Sequence, residues 1–225
     1  MSSQKTICII PARGGSKRLP GKNMRTLLKL PLIAYSINYA KQNSEIINHI
    51  VVTTDDHEIK QYALQEGIQV IDRPKHLAGD LSTTVSALKH VIENIEENYN
   101  QVVLLQPTNP LRPESLLKNA YRQFIDKDSD SLMTVSRNHH KLGKIINNQF
   151  EPFNYTLGQR SQDLEPLYFE NGLIYIIKTS LIKENKIIGD KNIPLISNHP
   201  YTQVDIDTEE DFKFAEYILN QYPNE

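Results

Sequence analysis

Residues 6–25 read TICIIPARGGSKRLPGKNMR, so an apolar run passes directly into a basic loop rich in glycine. The run Thr6–Ile10 is rich in β-branched isoleucine and ends at Pro11, which predicts a short buried strand. Three of the nine glycines in the chain and five basic residues follow, with no acidic residue between Arg13 and Arg25. Glycine lets backbone N–H groups approach an anion, and Lys and Arg neutralise its charge. The stretch therefore predicts a strand followed by a polyphosphate-binding loop.

Two common phosphate-binding patterns are absent from this loop. If Gly21-Lys22 ended a P-loop, Ser16 would stand where the first glycine is required, and Asn23 where Ser or Thr is required. The G-x-G-x-x-G spacing of dinucleotide-binding folds is also missing. A solvated basic loop and a nucleic-acid contact are the alternatives. No aromatic side chain lies among the basic residues to stack on bases, which weakens the second.

The rest of the chain alternates short apolar runs with helical patterns. The further predicted strands are His49–Thr54, Ile68–Ile71, Val102–Leu105, Ser131–Val135, Leu173–Ile177 and Thr202–Ile206. The predicted helices are Leu32–Gln42, Asp56–Gly67, Val85–Ile95, Pro113–Lys127 and Thr208–Tyr222. Such alternation is typical of a mainly parallel, doubly wound α/β sheet, whose ligands lie at the carboxyl ends of the strands.

We interpret residues 1–225 as a single domain with one excursion, the polar and loop-rich segment Asn138–Gly172. This segment could include a hairpin around residues 149–155, and it could cover the site or pair subunits. The chain is 39% hydrophobic, which is enough to bury a core without a disulfide or a structural metal. Its one cysteine, Cys8, lies in the first apolar run and is expected to be a small buried hydrophobe.

Charge and hydropathy exclude some classes of protein. The 25 basic and 27 acidic residues give a net charge of −2, which argues against a dedicated nucleic-acid binder and against attraction to anionic membranes. Met1–Lys5 is polar, and no stretch approaches the roughly 20 apolar residues that a membrane span needs. We therefore expect a cytoplasmic protein.

Several segments stand out in order along the chain: IPARGGSKRLPGKN at 10–23, RP at 73–74, AGDLSTT at 78–84, LLQPTNPLR at 104–112, RSQDL at 160–164, NGLIY at 171–175 and DID at 205–207. Together they resemble signature sequences of the acylneuraminate cytidylyltransferases, or CMP-sialic acid synthetases. Asn109 stands where the family's motif has serine. The resemblance covers essentially the whole chain. It implies a Rossmann-like nucleotidyltransferase fold and a homodimer in which the 138–172 excursion swaps or packs across subunits.

The reaction that the resemblance implies is attack by the anomeric hydroxyl of a nonulosonic acid on the α-phosphorus of CTP, giving a CMP-sugar and pyrophosphate. In-line positioning and charge neutralisation can supply most of the catalysis. Arg13 and Lys22 are the predicted catalytic residues; they would hold phosphates with Ser16, above the amides of Gly14 and Gly15. Lys17 and Arg18 are further candidates.

The rest of the nucleotide site follows the same resemblance. Asn23 would read the cytosine edge, since its amide carries both a donor and an acceptor. Around the base and ribose we expect Arg73, Asp80, Ser82 and Thr84. For Ser82–Thr84, a helix N-cap is an equally good interpretation.

Asp205 and Asp207 are the predicted magnesium ligands. Two residues apart in an extended segment, their side chains point to the same side, and Mg²⁺ takes a few carboxylates together with phosphate oxygens. A solvated strand end would also explain the pattern. Asp55-Asp56 is a rival pair, but adjacent side chains on a strand diverge, and Asp56 is a plausible N-cap.

The predicted acceptor-sugar residues are Gln106, Lys144, Arg160, Asn171 and Tyr175. A nonulosonic acid carries a carboxylate, hydroxyls and acylamino groups, which require a fixed cation and several neutral hydrogen-bonding groups. Arg160 could instead be an exposed loop residue, Tyr175 a core residue, and Lys141 could replace Lys144. The adjacent pair His139 and His140 is not expected to bind a metal jointly.

One departure from the family concerns the acceptor. Sialic acid-specific members can carry an aromatic pair where this chain has the aliphatic Lys186-Ile187-Ile188. A related acid such as legionaminate is therefore a contender. Pseudaminate and 3-deoxy-octulosonate are further alternatives, although the GGSKRLPGKN string at 14–23 favours the sialate branch over the last. A non-catalytic nucleotide-binding regulator is the alternative from another class.

Overall fold

The first apolar run is a central strand of a seven-stranded sheet in the computed structural model, which describes residues 4–222. In chain order the strands are β1 (Thr6–Pro11), β2 (Thr26–Leu27), β3 (Leu30–Pro31), β4 (His49–Thr54), β5 (Gln69–Asp72), β6 (Gln101–Leu104), β7 (Ser131–Asn138), β8 (Gly143–Ile146), β9 (Gln149–Pro152), β10 (Leu167–Lys178) and β11 (Asn192–Ile196). The helices are α1 (Leu32–Gln42), α2 (His57–Gln65), α3 (Thr84–Asn94), α4 (Leu116–Asp126), α5 (Thr179–Lys183) and α6 (Glu209–Gln221).

The large sheet has the strand order β11-β7-β10-β6-β1-β4-β5. Strand β10 pairs antiparallel with both β6 and β7, and the remaining pairs are parallel. Helices cover both faces: α1, α2 and α4 pack on one, and α3 and α5 on the other. The prediction of a mainly parallel, doubly wound sheet is therefore confirmed.

Strand β1 shows why the sheet is buried on both faces. Cys8 and Ile10 point into the cluster formed with α1, α2 and α4, whereas Ile7 and Ile9 point into the cluster formed with α3 and α5. All four side chains are fully buried. Because each buried isoleucine contributes about 1.5–3 kcal/mol, this one strand anchors both layers. The loop that follows it is consequently held at a fixed place on the edge of the sheet.

The predicted strand Thr202–Ile206 is wrong. Residues Pro200–Gln203 form a single 3-10 turn, which the proline can start because it needs no N–H there. The sequence reasoning missed β11, which contains Pro194 and pairs parallel with β7 at the edge of the sheet. Proline is tolerated on an edge strand because its missing N–H costs no ladder hydrogen bond on the open side.

The excursion is shorter than predicted. Strand β7 extends to Asn138, and β10 already begins at Leu167, its pairing partner. Between them β8 and β9 form a hairpin whose two turn residues, Asn147 and Asn148, have φ values of 51° and 61°. Asparagine tolerates this left-handed conformation, which matches the twist of a two-residue hairpin. Residues 167–172 of the predicted excursion thus belong to β10.

Within residues 4–222, no helix has the length and apolar character needed to cross a membrane.

Candidate active site

A cavity of about 490 Å³ lies at the carboxyl ends of β1 and β6, beside the loop that follows β1. Ten of the predicted site residues line it: Arg13, Ser16, Lys22, Asn23, Arg73, Asp80, Ser82, Thr84, Gln106 and Asp207. This is the edge of the sheet where ligands of doubly wound folds bind. Residues from four distant parts of the sequence therefore meet at the place that the strand order indicates.

One wall of the cavity joins the glycine-rich loop to the segment before α6. Lys22 is 7% exposed, and its Nζ donates hydrogen bonds to the Ile206 carbonyl oxygen at 2.7 Å and to Asp207 Oδ1 at 3.0 Å. Arg18 reaches the other oxygen of the same carboxylate at 2.6 Å. Gly21, with φ of 65°, starts the short turn that buries Lys22 and Asn23. The loop thus places two cations on one carboxylate.

On the opposite wall, two cations of the loop again contact one carboxylate, that of Asp80. Arg13 donates to the Gly79 carbonyl oxygen at 3.0 Å and to Asp80 Oδ1 at 3.4 Å, and Lys17 forms an ion pair with the same carboxylate. These ion pairs hold the pKa of the exposed Asp80 carboxyl below its usual value, with the Lys17 hydrogen bond as the largest cause. The loop therefore spans the cavity from Asp80 to Asp207. Its ammonium and guanidinium groups are the donors that a polyphosphate requires.

Gly14 and Gly15 do not line the cavity. The Gly14 N–H donates to Asp55 Oδ1 at 3.0 Å, and a Cβ at Gly14 would lie 2.7 Å from Asp56 Oδ2. Asp56 in turn caps α2 by accepting from the backbone N–H groups of Glu58 and Ile59. The predicted N-cap at Asp56 is confirmed. The carboxylates of this rival pair are engaged with backbone N–H groups.

Asn23 and Arg73 form a buried polar end of the cavity. Asn23 is 6% exposed, and its Nδ2 donates to the Arg13 carbonyl oxygen at 3.0 Å. Arg73 donates to the Thr53 carbonyl oxygen at 2.8 Å, and its buried Nε has no hydrogen-bond partner among residues 4–222. Burial lowers the pKa of Arg73 to about 10, so the side chain is protonated at neutral pH. This end presents amide and guanidinium groups together.

The N-terminus of α3 forms the neighbouring wall. Thr83, which the sequence reasoning did not single out, is the N-cap: its side chain accepts from the Ser86 N–H at 3.3 Å. Ser82 Oγ donates to the His76 carbonyl oxygen, and Thr84 is the first helical residue. The N-cap interpretation of this segment therefore holds for Thr83, while Ser82 and Thr84 line the cavity.

Asp205 and Asp207 lie on one side of an extended segment. Val204, before them, and Ile206, between them, are buried, which places both carboxylates on the outward side. Asp207 lines the cavity, whereas Asp205 is not part of its lining. Desolvation and the charge of Asp207 raise the pKa of the Asp205 carboxyl, and a hydrogen bond with the Thr108 side chain opposes this. Among residues 4–222, no cluster of three or more acidic, His or Cys side chains could hold a metal by itself. Two carboxylates that leave further positions for water and phosphate oxygens suit Mg²⁺.

The predicted sugar residues fall into two groups. Gln106 lines the cavity. Asn171 and Tyr175 are buried in β10, outside the cavity lining; Asn171 donates to Ser136 Oγ at 3.0 Å. Tyr175 donates to Glu170 Oε2 at 2.9 Å, and its pKa is raised by burial and by the charges of Glu170 and Asp205. Tyr175 is therefore within electrostatic range of Asp205.

Lys144 and Arg160 lie on exposed parts of the excursion, and neither is part of the cavity lining within residues 4–222. Lys144 Nζ is 5.1 Å from the centre of the Phe153 ring. Arg160 makes two hydrogen bonds to Asp163, at 2.8 and 3.1 Å. A single chain therefore does not bring these two cations to the cavity.

Sequence reasoning missed roles for Glu170 and Arg112. Arg112 is buried and donates to the carbonyl oxygens of Leu173 and Gln106, so it ties β10 to the cavity loop. Its place in the LLQPTNPLR segment was the available signal. Cys8 behaves as predicted: burial raises the pKa of its thiol to about 12, which excludes a thiolate at neutral pH.

The doubly wound sheet and a polyphosphate-suited loop at the end of its first strand define a nucleotide-binding α/β protein. More specifically, the chain belongs to the cytidylyltransferase family, whose sequence pattern it matches over residues 7–223. The resemblance seen in the sequence is therefore confirmed at the level of the family, and the protein is a nucleotidyltransferase.

Three similar proteins span nearly all of this chain. A pseudaminic acid cytidylyltransferase of Campylobacter jejuni is 35% identical, with 95% of this chain and 96% of the relative covered. A CMP-N,N'-diacetyllegionaminic acid synthase of Legionella pneumophila is 34% identical, with 96% of each covered. An N-acylneuraminate cytidylyltransferase of Streptococcus agalactiae is 32% identical, with 98% of this chain but 56% of the relative covered.

A solved structure supports the fold. CMP:2-keto-3-deoxy-manno-octonic acid synthetase complexed with CTP has a TM-score of 0.72 and 17% identity, and the alignment covers 96% of this chain and 99% of that one. This likeness confirms the predicted Rossmann-like nucleotidyltransferase fold.

Proposed function

We propose that the protein transfers CMP from CTP to the anomeric hydroxyl of a nonulosonic acid and releases pyrophosphate. The observation that carries the proposal is the buried Lys22 ammonium paired with Asp207 in a cavity whose far wall holds Arg13 and Asp80. Cations from one loop thus face carboxylates on both walls. The three relatives described above, named for acids of this class, support the choice of substrate.

The proposed reaction is a direct displacement. The anomeric hydroxyl passes its proton to water and its oxygen bonds to the α-phosphorus, while the bond from that phosphorus to the bridging oxygen breaks. Pyrophosphate leaves with the electron pair. Arg13 and Lys22 would stabilise the charge that develops on the phosphate oxygens, and Ser16 would donate a hydrogen bond to them. No side chain needs to form a covalent intermediate, because positioning and electrostatic stabilisation lower the barrier.

We further propose that Asp205 and Asp207 hold a Mg²⁺ ion. Two carboxylates on one side of a segment are a hard-oxygen donor set, and phosphate oxygens and water complete the coordination that Mg²⁺ prefers. When bound, the ion would neutralise charge on the triphosphate. In the structure Lys22 and Arg18 contact the two oxygens of the Asp207 carboxylate, so the ion would have to displace one of these cations, of which Arg18 is the more exposed.

Pyrophosphate release is the experiment that tests the function. CTP and Mg²⁺ would be combined separately with N-acetylneuraminate, legionaminate, pseudaminate and 3-deoxy-octulosonate, with controls that lack sugar or metal. We expect release with at least one nonulosonic acid and none without metal. Release with 3-deoxy-octulosonate alone would contradict the acceptor class. CTP binding without release with any acid would favour the non-catalytic regulator.

The acceptor within the class is left to this panel. Identities of 35%, 34% and 32% to relatives named for three different acids do not rank the acceptors. The aliphatic stretch Lys186–Ile188 is not part of the cavity lining within residues 4–222, and Ile187 packs against the core.

A CTP-consuming enzyme works where nucleotides are made, which favours a cytoplasmic location.

We also propose a homodimer in which the excursion packs against a second copy. Its hairpin and the following loop expose apolar side chains: Ile145 is 77% exposed, Phe150 58%, Phe153 60% and Leu157 83%. Ile145 and Phe150 are directly paired across the hairpin, and several exposed apolar side chains on one short segment favour a protein partner. A dimer would also explain the position of Lys144 and Arg160, which the excursion would then supply to the site of the other copy.

The dimer is tested by Ile145→Glu. A charge at this exposed apolar position would be desolvated in an interface, so we expect the variant to sediment as a monomer while the wild-type protein sediments as a dimer. The matched control is Leu64→Glu, at a position in α2 that is 48% exposed, and it should remain dimeric. An unchanged dimer of the Ile145 variant would place the interface elsewhere.

Base reading is tested by Asn23→Ala. The loss of one buried amide should lower the preference for CTP over UTP by about tenfold, the value of one well-formed hydrogen bond. The ratio of kcat/KM for the two nucleotides measures this. Asn94→Ala, at the exposed end of α3, is the control and should keep the wild-type ratio. If the Asn23 variant also keeps it, another residue reads the base.

A further inference from the structure

The loop after β6 contains a buried asparagine that joins two other parts of the site. Asn109 is 3% exposed, and its Nδ2 donates one hydrogen bond to the Asn171 carbonyl oxygen and one to the Val204 carbonyl oxygen, both at 3.1 Å. Its Oδ1 lies 3.2 Å from the Thr108 hydroxyl, whose single hydrogen is shared between this oxygen and Asp205. Both N–H donors of the amide are therefore used.

Each of the two carbonyl groups belongs to a segment that carries site residues. Asn171 opens the irregular part of β10, between Glu170 and Tyr175, where the register shifts. Val204 directly precedes Asp205. Asn109 thus sets the distance between the β10 bulge and the acidic pair.

Because Gly172 has no side chain, it leaves room for the side chain of Asn109. Gly172 has φ of 74°, and a Cβ there would lie 2.4 Å from Asn109 Oδ1. The asparagine side chain occupies the space that any other residue at 172 would need. Serine, which the related motif has at this position, carries one hydroxyl hydrogen and can donate to only one carbonyl group at a time.

We propose that the β10 bulge borders the bound acceptor and that Asn109 is a positioning residue, which fixes this bulge relative to Asp205 and Asp207. The proposal rests on the function proposed above. Asn109 is not among the residues that line the nucleotide cavity, whereas its neighbours Pro107 and Thr108 are. Asn109 would therefore influence how the acceptor is placed relative to CTP. A misplacement of about 1 Å between reacting groups lowers the rate by up to about a hundredfold.

The first test is the kinetics of Asn109→Ser. We expect kcat to fall or the acceptor KM to rise by about tenfold to a hundredfold, while the KM for CTP stays within about twofold of wild type. Thermal unfolding shows that the variant is folded. Wild-type kcat and acceptor KM in the folded variant would overturn the proposal. Equal increases of both KM values would also overturn it, because they indicate general loosening.

The second test is a double-variant cycle with Gly172→Ala. Alone, this substitution creates the contact with Asn109 Oδ1 and should lower Tm by more than Gly67→Ala, which has φ of 73° and no atom near its Cβ. Combined with Asn109→Ser, the excess loss should disappear. If the Tm losses of the two single variants simply add in the double variant, the side chains at 109 and 172 do not interact. The cycle measures thermal unfolding, so its result does not depend on whether the wild-type protein releases pyrophosphate. A lack of pyrophosphate release would refute the proposed function and not the contact between Asn109 and residue 172.

Discussion

Asp207→Asn is expected to lower kcat/KM for pyrophosphate release by about 10²–10³ while leaving the fold intact. The substitution removes the negative charge that would bind Mg²⁺, and loss of one electrostatic contributor to a transition state has an effect of this size. An amide at position 207 still offers an oxygen to Lys22, which is 3.0 Å away in the native protein. We therefore expect the buried ammonium to keep a hydrogen-bond partner.

The measurement is pyrophosphate release as a function of Mg²⁺ concentration, with Tm as the check on folding. Glu209→Gln is the matched control, because Glu209 lies two residues further on, pairs with Arg25 and does not line the cavity. It should retain nearly wild-type turnover. A folded Asp207 variant with the wild-type metal response would refute the metal assignment, and equal losses in both variants would indicate a general effect on this segment.

Lys22→Met should also reduce kcat/KM for CTP by about 10²–10³. Methionine preserves the length and much of the packing of the side chain but removes the charge that faces the phosphates. The Ile206 carbonyl oxygen loses its 2.7 Å donor as well, so a modest fall in Tm should accompany the loss of activity. The kinetic effect should far exceed the stability effect, because most of the molecule remains folded.

Steady-state kinetics over a range of CTP concentrations would measure this change. The control is Lys29→Met, which removes a lysine from the exposed turn between β2 and β3 and should leave both kcat and KM unaltered. If the Lys22 variant turns over CTP at the wild-type rate with an unchanged KM, the ammonium neither binds phosphate nor stabilises the transition state. The role would then pass to Arg13 or Arg18.

Local pattern was enough to predict the elements that carry the cavity. Helix α1 and strand β4 have the predicted bounds, because an apolar periodicity over a few residues reports which side faces the core. The same is true of the loop after β1, where glycines and basic residues indicate anion binding without knowledge of their partners. Most of the predicted nucleotide-site residues therefore line one cavity.

The sequence did not reveal which residues and strands far apart along the chain contact each other. The reversed direction of β10 and the edge strand β11 depend on neighbours far away in sequence, as does the hydrogen bond from Gly14 to Asp55. Asn171 and Tyr175 stay predicted sugar ligands. In the structure Asn171 donates across the sheet to Ser136 on β7, a contact that the motif did not reveal, and Tyr175 donates to Glu170 on its own strand. A contact made across a sheet leaves no periodic signal along either strand.

The direction of β10 has a consequence for how this fold can change. Because β7 ends and β10 begins at the catalytic edge of the sheet, the excursion leaves and re-enters the core at paired residues, Asn138 and Leu167. The entropic cost of closing a loop between two such adjacent ends grows only slowly with its length. An excursion of different length or sequence can therefore be joined at this one pair of residues, and a graft from a relative should leave β1, β6 and the cavity at their ends in place.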